Sequence, residues 1–311
     1  MATNTLGTTN GILIAQNALA TLLALLPVLK NITTDFSDQK ILFGQTLITH
    51  IVTAAPAVDF DPTVGYVAQG RAQIDVPVTI NKHKHHTYEI GVQEASSTHI
   101  DLIQRFALTA AYSIGQALVQ DLCALVTAAN FPAYSALPLG SGGDGFDRKA
   151  VIKCGTALST RKVQPYGRFM LLNPLYKGSI ENDITVVGQL YTGQSAIQSG
   201  QLPNVHGFKV DEYIELPDNG ESLAGFAAVP EALVLATRIP DDPGEGNAVC
   251  DIHTVTDEDS GIGIQVREWY NADQGKFKRT YTLMYGVAVG HKDTLQRIVS
   301  TAPLSVKKEA A

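Results

Sequence analysis

The sequence predicts an α+β chain built from a long strand pair, a long helix and a separate mixed block. Three observations carry this. Residues 72–81 and 87–93 alternate between apolar and polar positions. Residues 98–129 repeat their apolar positions at helical spacing. Beyond a Gly-rich run at 140–145, short apolar strands alternate with helical stretches before a closing strand pair at 262–269 and 277–289.

Composition narrows the function classes. Charged residues are 17% of the 311, below the ~25% typical of soluble domains, so part of the surface is expected to be covered. Lys and Arg number 23 against 30 Asp and Glu, a net charge of -7. General attraction to a phosphate backbone or an anionic bilayer is therefore not expected. Cys123, Cys154 and Cys250 are an odd count at no metal-ligand spacing. That argues against a disulfide framework or zinc knuckle, and for buried thiols in a reducing cytosol.

The first element is an uncharged stretch, residues 11–29, rich in Leu, Ala and Ile. Residues 1–10 hold no Lys or Arg, and no small-residue cleavage site follows Leu26-Pro27, which fits a secretory signal poorly. Gln16, Asn17 and Pro27, with no positive flank before Lys30, count against a membrane span. The stretch reads as an apolar arm or helix that must find a partner surface, burial that one subunit alone is not expected to supply.

In the second element Ile74, Val76, Val78 and Ile80 share one strand face, with Gln73, Asp75 and Thr79 on the other. After the polar run Lys82, His83, Lys84, His85 and His86, a second alternation sets Tyr88, Ile90 and Val92 against Thr87, Glu89 and Gln93. The two are expected to form one long hairpin with its tip at Lys82 to His86. A solitary hairpin is marginal in water because its apolar face and edges have no cover, so a neighbour is needed.

Thr98 and Asp101 then supply a helix start. Phe106, Ala107, Ala110, Ile114, Leu118, Leu122, Leu125 and Val126 recur on one face. A helix to about residue 129 is roughly 45 Å long at 1.5 Å per residue, a spine for the fold. The Gly-rich run at 140–145 is read as a boundary. After it come a helix over 147–162, strands over 169–172, 208–216 and 223–229, and helical pieces after Pro174 and Pro230, where proline suits a first turn. In the last strand Tyr281, Leu283, Tyr285, Val287 and Val289 share a face.

His83 and His85 project together from a strand but have no acidic or cysteine third ligand beside them, so a polar tip is preferred to a metal site. Gly140, Gly142 and Gly145 fit G-x-G-x-x-G, but no strand precedes them and Asp144 and Asp147 would repel phosphate. Acidic groups at Asp241, Asp242 and Glu245 and at 257–259 lack calcium-loop spacing. Arg267, Trp269, Lys276, Lys278 and Arg279 are the one basic and aromatic group. No nucleophile elbow, metalloprotease helix or phosphate loop is present. Neither a cofactor nor a catalytic residue is assigned.

The order of elements resembles the major capsid proteins of tailed bacteriophages with the HK97-type fold. Residues 76–94 resemble that family's extended E-loop leading into the spine helix of the peripheral domain. The run from Gly200 through Gly207-Phe208-Lys209-Val210 to Leu216-Pro217 is similar to a strand start of its axial domain. Phe226 to Arg238 resembles a strand followed by a short Ala/Leu helix, and Val266 to Val289 the long β-arm.

The resemblance implies an N-terminal arm over 1–58, E-loop 59–95, spine helix 96–139, axial domain 140–250, β-arm and return 251–301, and a tail at 302–311. It implies a non-enzymatic shell subunit, assembled in the bacterial host cytoplasm into hexamers and pentamers of a virion around double-stranded DNA. Portal and scaffolding proteins, a decoration protein and weak, sequence-blind DNA contact are the partners expected, and no membrane. An encapsulin-like cargo shell is the alternative. The expected assembly interface comprises Ile74, Val76, Val78, Ile80, Lys82, His83, Lys84, His85, His86, Tyr88, Ile90, Val92, Arg267 and Trp269.

Overall fold

A computed structural model describes residues 15–20, 22–23, 26–36, 43–52, 57–66, 73–97, 102–131, 145–182, 204–217, 219–241, 250–257 and 262–300. The expected helix start at Thr98 and Asp101, the Gly-rich run through 144, the 200–203 segment, the acids at 242, 245, 258 and 259, and the two chain ends lie outside them. Among the described residues no helix is long and apolar enough to cross a membrane, and no three His, Cys, Asp or Glu side chains gather where a metal could sit.

In chain order the strands are β1 (Thr33–Phe36), β2 (Thr46–Val52), β3 (Gln73–Thr79) and β4 (Lys82–Gly91), followed by helices α1 (Val92–Ser97), α2 (Leu102–Cys123) and α3 (Arg148–Thr160). Then come β5 (Phe169–Leu172), α4 (Pro174–Glu181), β6 (Lys209–Glu212), β7 (Leu223–Ala228), β8 (Leu233–Arg238), β9 (Asp251–Asp257), β10 (Ile262–Asn271), β11 (Lys276–Val289) and β12 (Leu295–Val299). One sheet runs β1-β8-β11-β10-β9 with β4 also on β11, a second runs β12-β7-β5-β6, and β2 and β3 form a pair of their own.

The two alternations expected to make one hairpin are strands with different partners. β3 pairs with β2, Thr79 opposite Thr46 and Gln73 opposite Val52. β4 pairs with β11, Gly91 opposite Lys276 and Lys82 opposite Tyr285. Only Ile80 and Asn81 lie between them, and neither brings the glycine chemistry of a two-residue hairpin turn. The chain therefore runs on from one sheet into the next. Lys82 to His86 is the first half of strand β4, paired rung by rung with β11, not a tip, and Val92 opens α1 instead of continuing a strand face. The solitary hairpin exists, but it is β2 with β3, and its tip lies at 57–66.

The main core joins the apolar arm, α2 and the closed face of the six-stranded sheet: Ala15, Leu19, Leu22 and Leu26 meet Ala111, Ile114, Leu118, Tyr281, Leu283 and Tyr285. Residues 15–20 and 22–23 are helical. Gly115 makes the close fit possible, since a Cβ there would stand 2.7 Å from Leu26 Cδ1 and 2.9 Å from Leu22 Cγ. The described apolar residues of the arm are thus covered by their own chain, where a partner surface was expected. At 22 residues, α2 spans roughly 33 Å, shorter than expected. Its end is fixed by remote residues: Asn219 Nδ2 donates to the carbonyls of Cys123 and Val126, at 2.9 and 2.8 Å, satisfying groups a helix leaves open.

The four-stranded sheet divides two cores. Phe169, Leu171 and Phe226 face the arm and α2, while Met170, Leu172, Ala224 and Ile298 face α3 and α4 with Val151, Cys154, Tyr176 and Phe208. Asp147 Oδ1 caps α3 by accepting from the Ala150 amide, and Asn173 caps α4 ahead of Pro174. The Ala/Leu stretch after Pro230 is a single 3-10 turn followed by strand β8, not a helix. The apolar run is the five residues Ala232–Ala236, and in a strand buried on both faces it has no periodicity to distinguish the two.

Burial pushes the Cys123 and Cys154 thiols up to about 12. Cys250 is partly exposed, and none of the three is in a disulfide. A thiol-reactive reagent at pH 8 is expected to modify Cys250 fast in the folded chain, and all three only after unfolding. Prompt modification of three thiols would refute the packing described for α2 and α3.

Candidate assembly surfaces

The closed face of the six-stranded sheet is tied to α2 by polar contacts as well as by the core. Asp121 accepts from Lys82 Nζ at 2.7 Å and from the Tyr285 hydroxyl at 2.5 Å. His86 Nδ1 lies 2.8 Å from Ser113 Oγ, and Tyr88 stacks on Tyr281 and meets the Phe106 ring at a tilt. Below them Arg279 Nη2 meets Glu268 Oε1 at 2.5 Å, their side chains 4% and 14% exposed. Burial opposes the charge on Arg279, and the Glu268 hydrogen bond and charge more than offset it, raising the guanidinium above its ordinary value. Lys82, His86, Tyr88 and Ile90 therefore serve the fold of the subunit.

The β2–β3 hairpin is rooted on the opposite face. Val76, Val78 and Ile80 are buried with Ile51, Val234, Ala236 and Met284, and Ile74 is partly covered there. Gly286 admits the root: a Cβ would stand 2.2 Å from the Thr79 carbonyl oxygen. The apolar face expected to seek a neighbour is satisfied within the chain. Pro77 is exposed and unable to donate, as an edge strand permits.

The rest of that face is polar and partly covered: Gln265 and Thr282 are buried, and Gln265 and Arg267 donate to the carbonyls of Pro240 and Asp241 at 3.2 and 3.4 Å. Strand alternation and register place His83, His85, Thr87 and Glu89 of β4 beside Lys278, Thr280 and Thr282 of β11, and these beside Gln265, Arg267 and Trp269 of β10. His83 Nε2 lies 2.7 Å from Thr282 Oγ1, and Arg267 Nε donates to Gln265 Oε1 at 2.9 Å. Burial, then His85 and Arg267, push the His83 imidazole below the usual histidine value. Glu89 takes Lys278 at 2.6 Å and Lys276 at 3.0 Å, and is held below the ordinary carboxylate range by them. Lys84 and Val92 are exposed elsewhere on the surface, and Trp269 is partly buried.

A surface that sequence reasoning passed over is the hairpin tip. Asp61 folds it: its carbonyl accepts from the Gly65 amide at 2.8 Å and its Oδ1 from the Thr63 amide at 2.8 Å. That amide hydrogen bond also holds the carboxyl below its ordinary value. The turn brings the Phe60 and Tyr66 rings to 4.8 Å, yet leaves them 57% and 94% exposed, with Val58 and Val64 also exposed. The signal was present in the Asp61-Pro62-Thr63-Val64-Gly65 turn chemistry between two aromatics.

No protein-family model matches the sequence, and no curated protein does. Solved structures do match. The capsid of cyanophage P-SCSP1u aligns at a TM-score of 0.57 and 12% identity, over 88% of this chain and 86% of that one. The capsid of Ralstonia phage GP4 gives 0.54 and 11% over 88% of each chain, and the mature capsid of bacteriophage PhiM1 gives 0.53 and 10% over 88% and 86%. The fold is that of bacteriophage capsid proteins. A capsid fold shared at such low identity is consistent with cores that tolerate extensive apolar exchange when volume and pattern are kept.

Proposed function

We propose that the chain is a structural subunit that assembles in many copies into the icosahedral head of a tailed bacteriophage, enclosing double-stranded DNA. The observation that carries this is the match of nearly nine-tenths of the chain to phage capsid structures. In this reading α2 and the six-stranded sheet make a peripheral domain of the HK97 type. The four-stranded sheet with α3 and α4 makes an axial domain, and the β2–β3 hairpin is the extended loop. Hexamers and pentamers of the subunit, with portal and scaffolding proteins, would form in the host cytoplasm. A decoration protein could attach outside, and contact with the genome would be weak because the chain carries a net charge of -7. The role is structural and calls on no catalytic residue or cofactor.

The exposed tip and the polar sheet face replace the buried residues first expected at the interface. His83, Lys84, His85, Val92, Arg267 and Trp269 remain in the proposed contact set. Replacing residues 57–66 by a short Gly-Ser turn is expected to abolish particle formation while changing subunit stability by no more than about 0.5 kcal/mol, the usual range for surface changes. Particle yield by sedimentation and melting by circular dichroism check both parts. Particles at the normal yield would remove the tip from assembly. Deleting 82–86 tests something else, because it cuts five rungs of the β4–β11 ladder.

A further inference from the structure

We propose that Asn219 is a self-modification site: its side-chain amide is shielded from hydrolysis while it holds the end of α2, and its loss releases that end for good. This goes beyond the shell reading and stands without it. Asn219 precedes Gly220, and glycine puts no Cβ in the way of its own nitrogen. The reaction needs only water. The Gly220 backbone nitrogen gives up its proton and attacks the Asn219 side-chain carbonyl carbon, the Cγ–Nδ2 bond breaks, and ammonia leaves with that proton. Water then opens the five-membered imide at one carbonyl or the other, leaving aspartate or isoaspartate. One water is consumed and one ammonia released, with no change of oxidation state. Gly220 itself is exposed, with φ at 74°, and a Cβ there would meet nothing within 4 Å. The restraint lies on Asn219. Its Nδ2, the leaving group, is committed to the carbonyls of Cys123 and Val126 at 2.9 and 2.8 Å, and both bonds must break before ammonia can depart. Its backbone sits in the left-handed region at φ 51°, and the loop is pinned just beyond it, by Glu221 on Arg297 and by the Ser300 amide on the Ser222 carbonyl at 2.9 Å. Ring closure across 219–220 therefore waits on local opening. The product cannot resume the role. A carboxylate has no hydrogen to donate, so the two carbonyls would face its lone pairs, and it sets negative charge at the negative end of α2. Isoaspartate also lengthens the backbone by one carbon just ahead of β7.

The test ages the full chain at mildly alkaline pH, folded in buffer and unfolded in urea, and maps both by peptide mass spectrometry. Asn10–Gly11, the other Asn-Gly pair, calibrates the chemical rate in urea. There the two pairs are expected to deamidate alike, and Asn219 in the folded chain at least about tenfold slower, its rate set by opening of the loop. Equal rates at Asn219 in buffer and in urea would overturn the shielding. Asn219→Asp, the product made in advance, is expected to speed hydrogen exchange of the amides of 122–126 at least about tenfold. It should also exceed Asn219→Ala, which removes the donor without adding the charge. Exchange at the parent's rate, or no faster than in the Ala variant, would overturn the release of α2. Should the Asp variant not fold, the two rates at Asn219 in the unaltered chain still decide the shielding on which the proposal depends.

Discussion

Glu268→Ala is expected to cost the subunit about 3–5 kcal/mol, the range for removing one partner of a buried ion pair. Arg279 would remain with its charge, its side chain 4% exposed, between the Tyr88 hydroxyl at 3.4 Å and the Phe277 ring at 5.5 Å. Neither can neutralise it. The pair sits where β10 and β11 meet, Glu268 opposite Arg279 in the register, and Tyr88, which Arg279 touches, is the side chain that packs on α2. Loosening should therefore spread to the helix. Joint replacement of both residues by well-packed apolar ones should cost far less, because no charge is left stranded. Urea denaturation measures both. A single variant within about 1 kcal/mol of the parent would show that water reaches the pair, contrary to the packing described.

Arg168→Met is expected to have a comparable effect on the second core. Arg168 is 6% exposed and donates to the carbonyls of Gln164, Gly155 and Val163 and to Ser159 Oγ, at 3.1, 3.1, 2.7 and 3.0 Å. It also lies 5.9 Å from the centre of the Phe208 ring. The guanidinium thus ties α3, the turn after it and the start of β5 into one unit. A thioether fills much of the space but leaves acceptors unsatisfied, and the net loss for a hydrogen bond to a charged group is about 1.5–3 kcal/mol, reduced where water reaches the freed acceptor. A loss of about 3 kcal/mol is the expected total. Arg168→Lys should rescue little, since one ammonium cannot serve a planar fork of four acceptors. Full stability of the Lys variant would contradict this geometry.

Most of the elements were legible in the sequence, and most of the pairing was not. The alternation at 74–80 correctly marks Val76, Val78 and Ile80 as inward, and that at Tyr281 to Val289 marks the closed face of β11. Alternation tells which face is buried and is silent on which strand lies alongside, so β3 and β4 were joined when each belongs to another partner. The uncharged arm is buried, but not on the partner surface its composition predicts: its cover, α2 with Gly115 at the contact, lies about a hundred positions downstream in the same chain. The end of α2 depended on Asn219, which no local rule reaches. For the same reason the interface residues shifted. What an isolated subunit leaves uncovered is decided by its own tertiary packing, and here that packing consumed the residues with the strongest apolar pattern and left Phe60 and Tyr66 outside and the Arg267–Trp269 face only partly covered.

The most direct measurement is electron microscopy of the purified chain, with any scaffold it requires supplied from the same source, across a concentration series. Closed icosahedral shells of uniform diameter, built from rings of five and six copies, are the predicted result. A chain that stays monomeric at high concentration under every such condition, with residues 57–66 still accessible to protease, would contradict it.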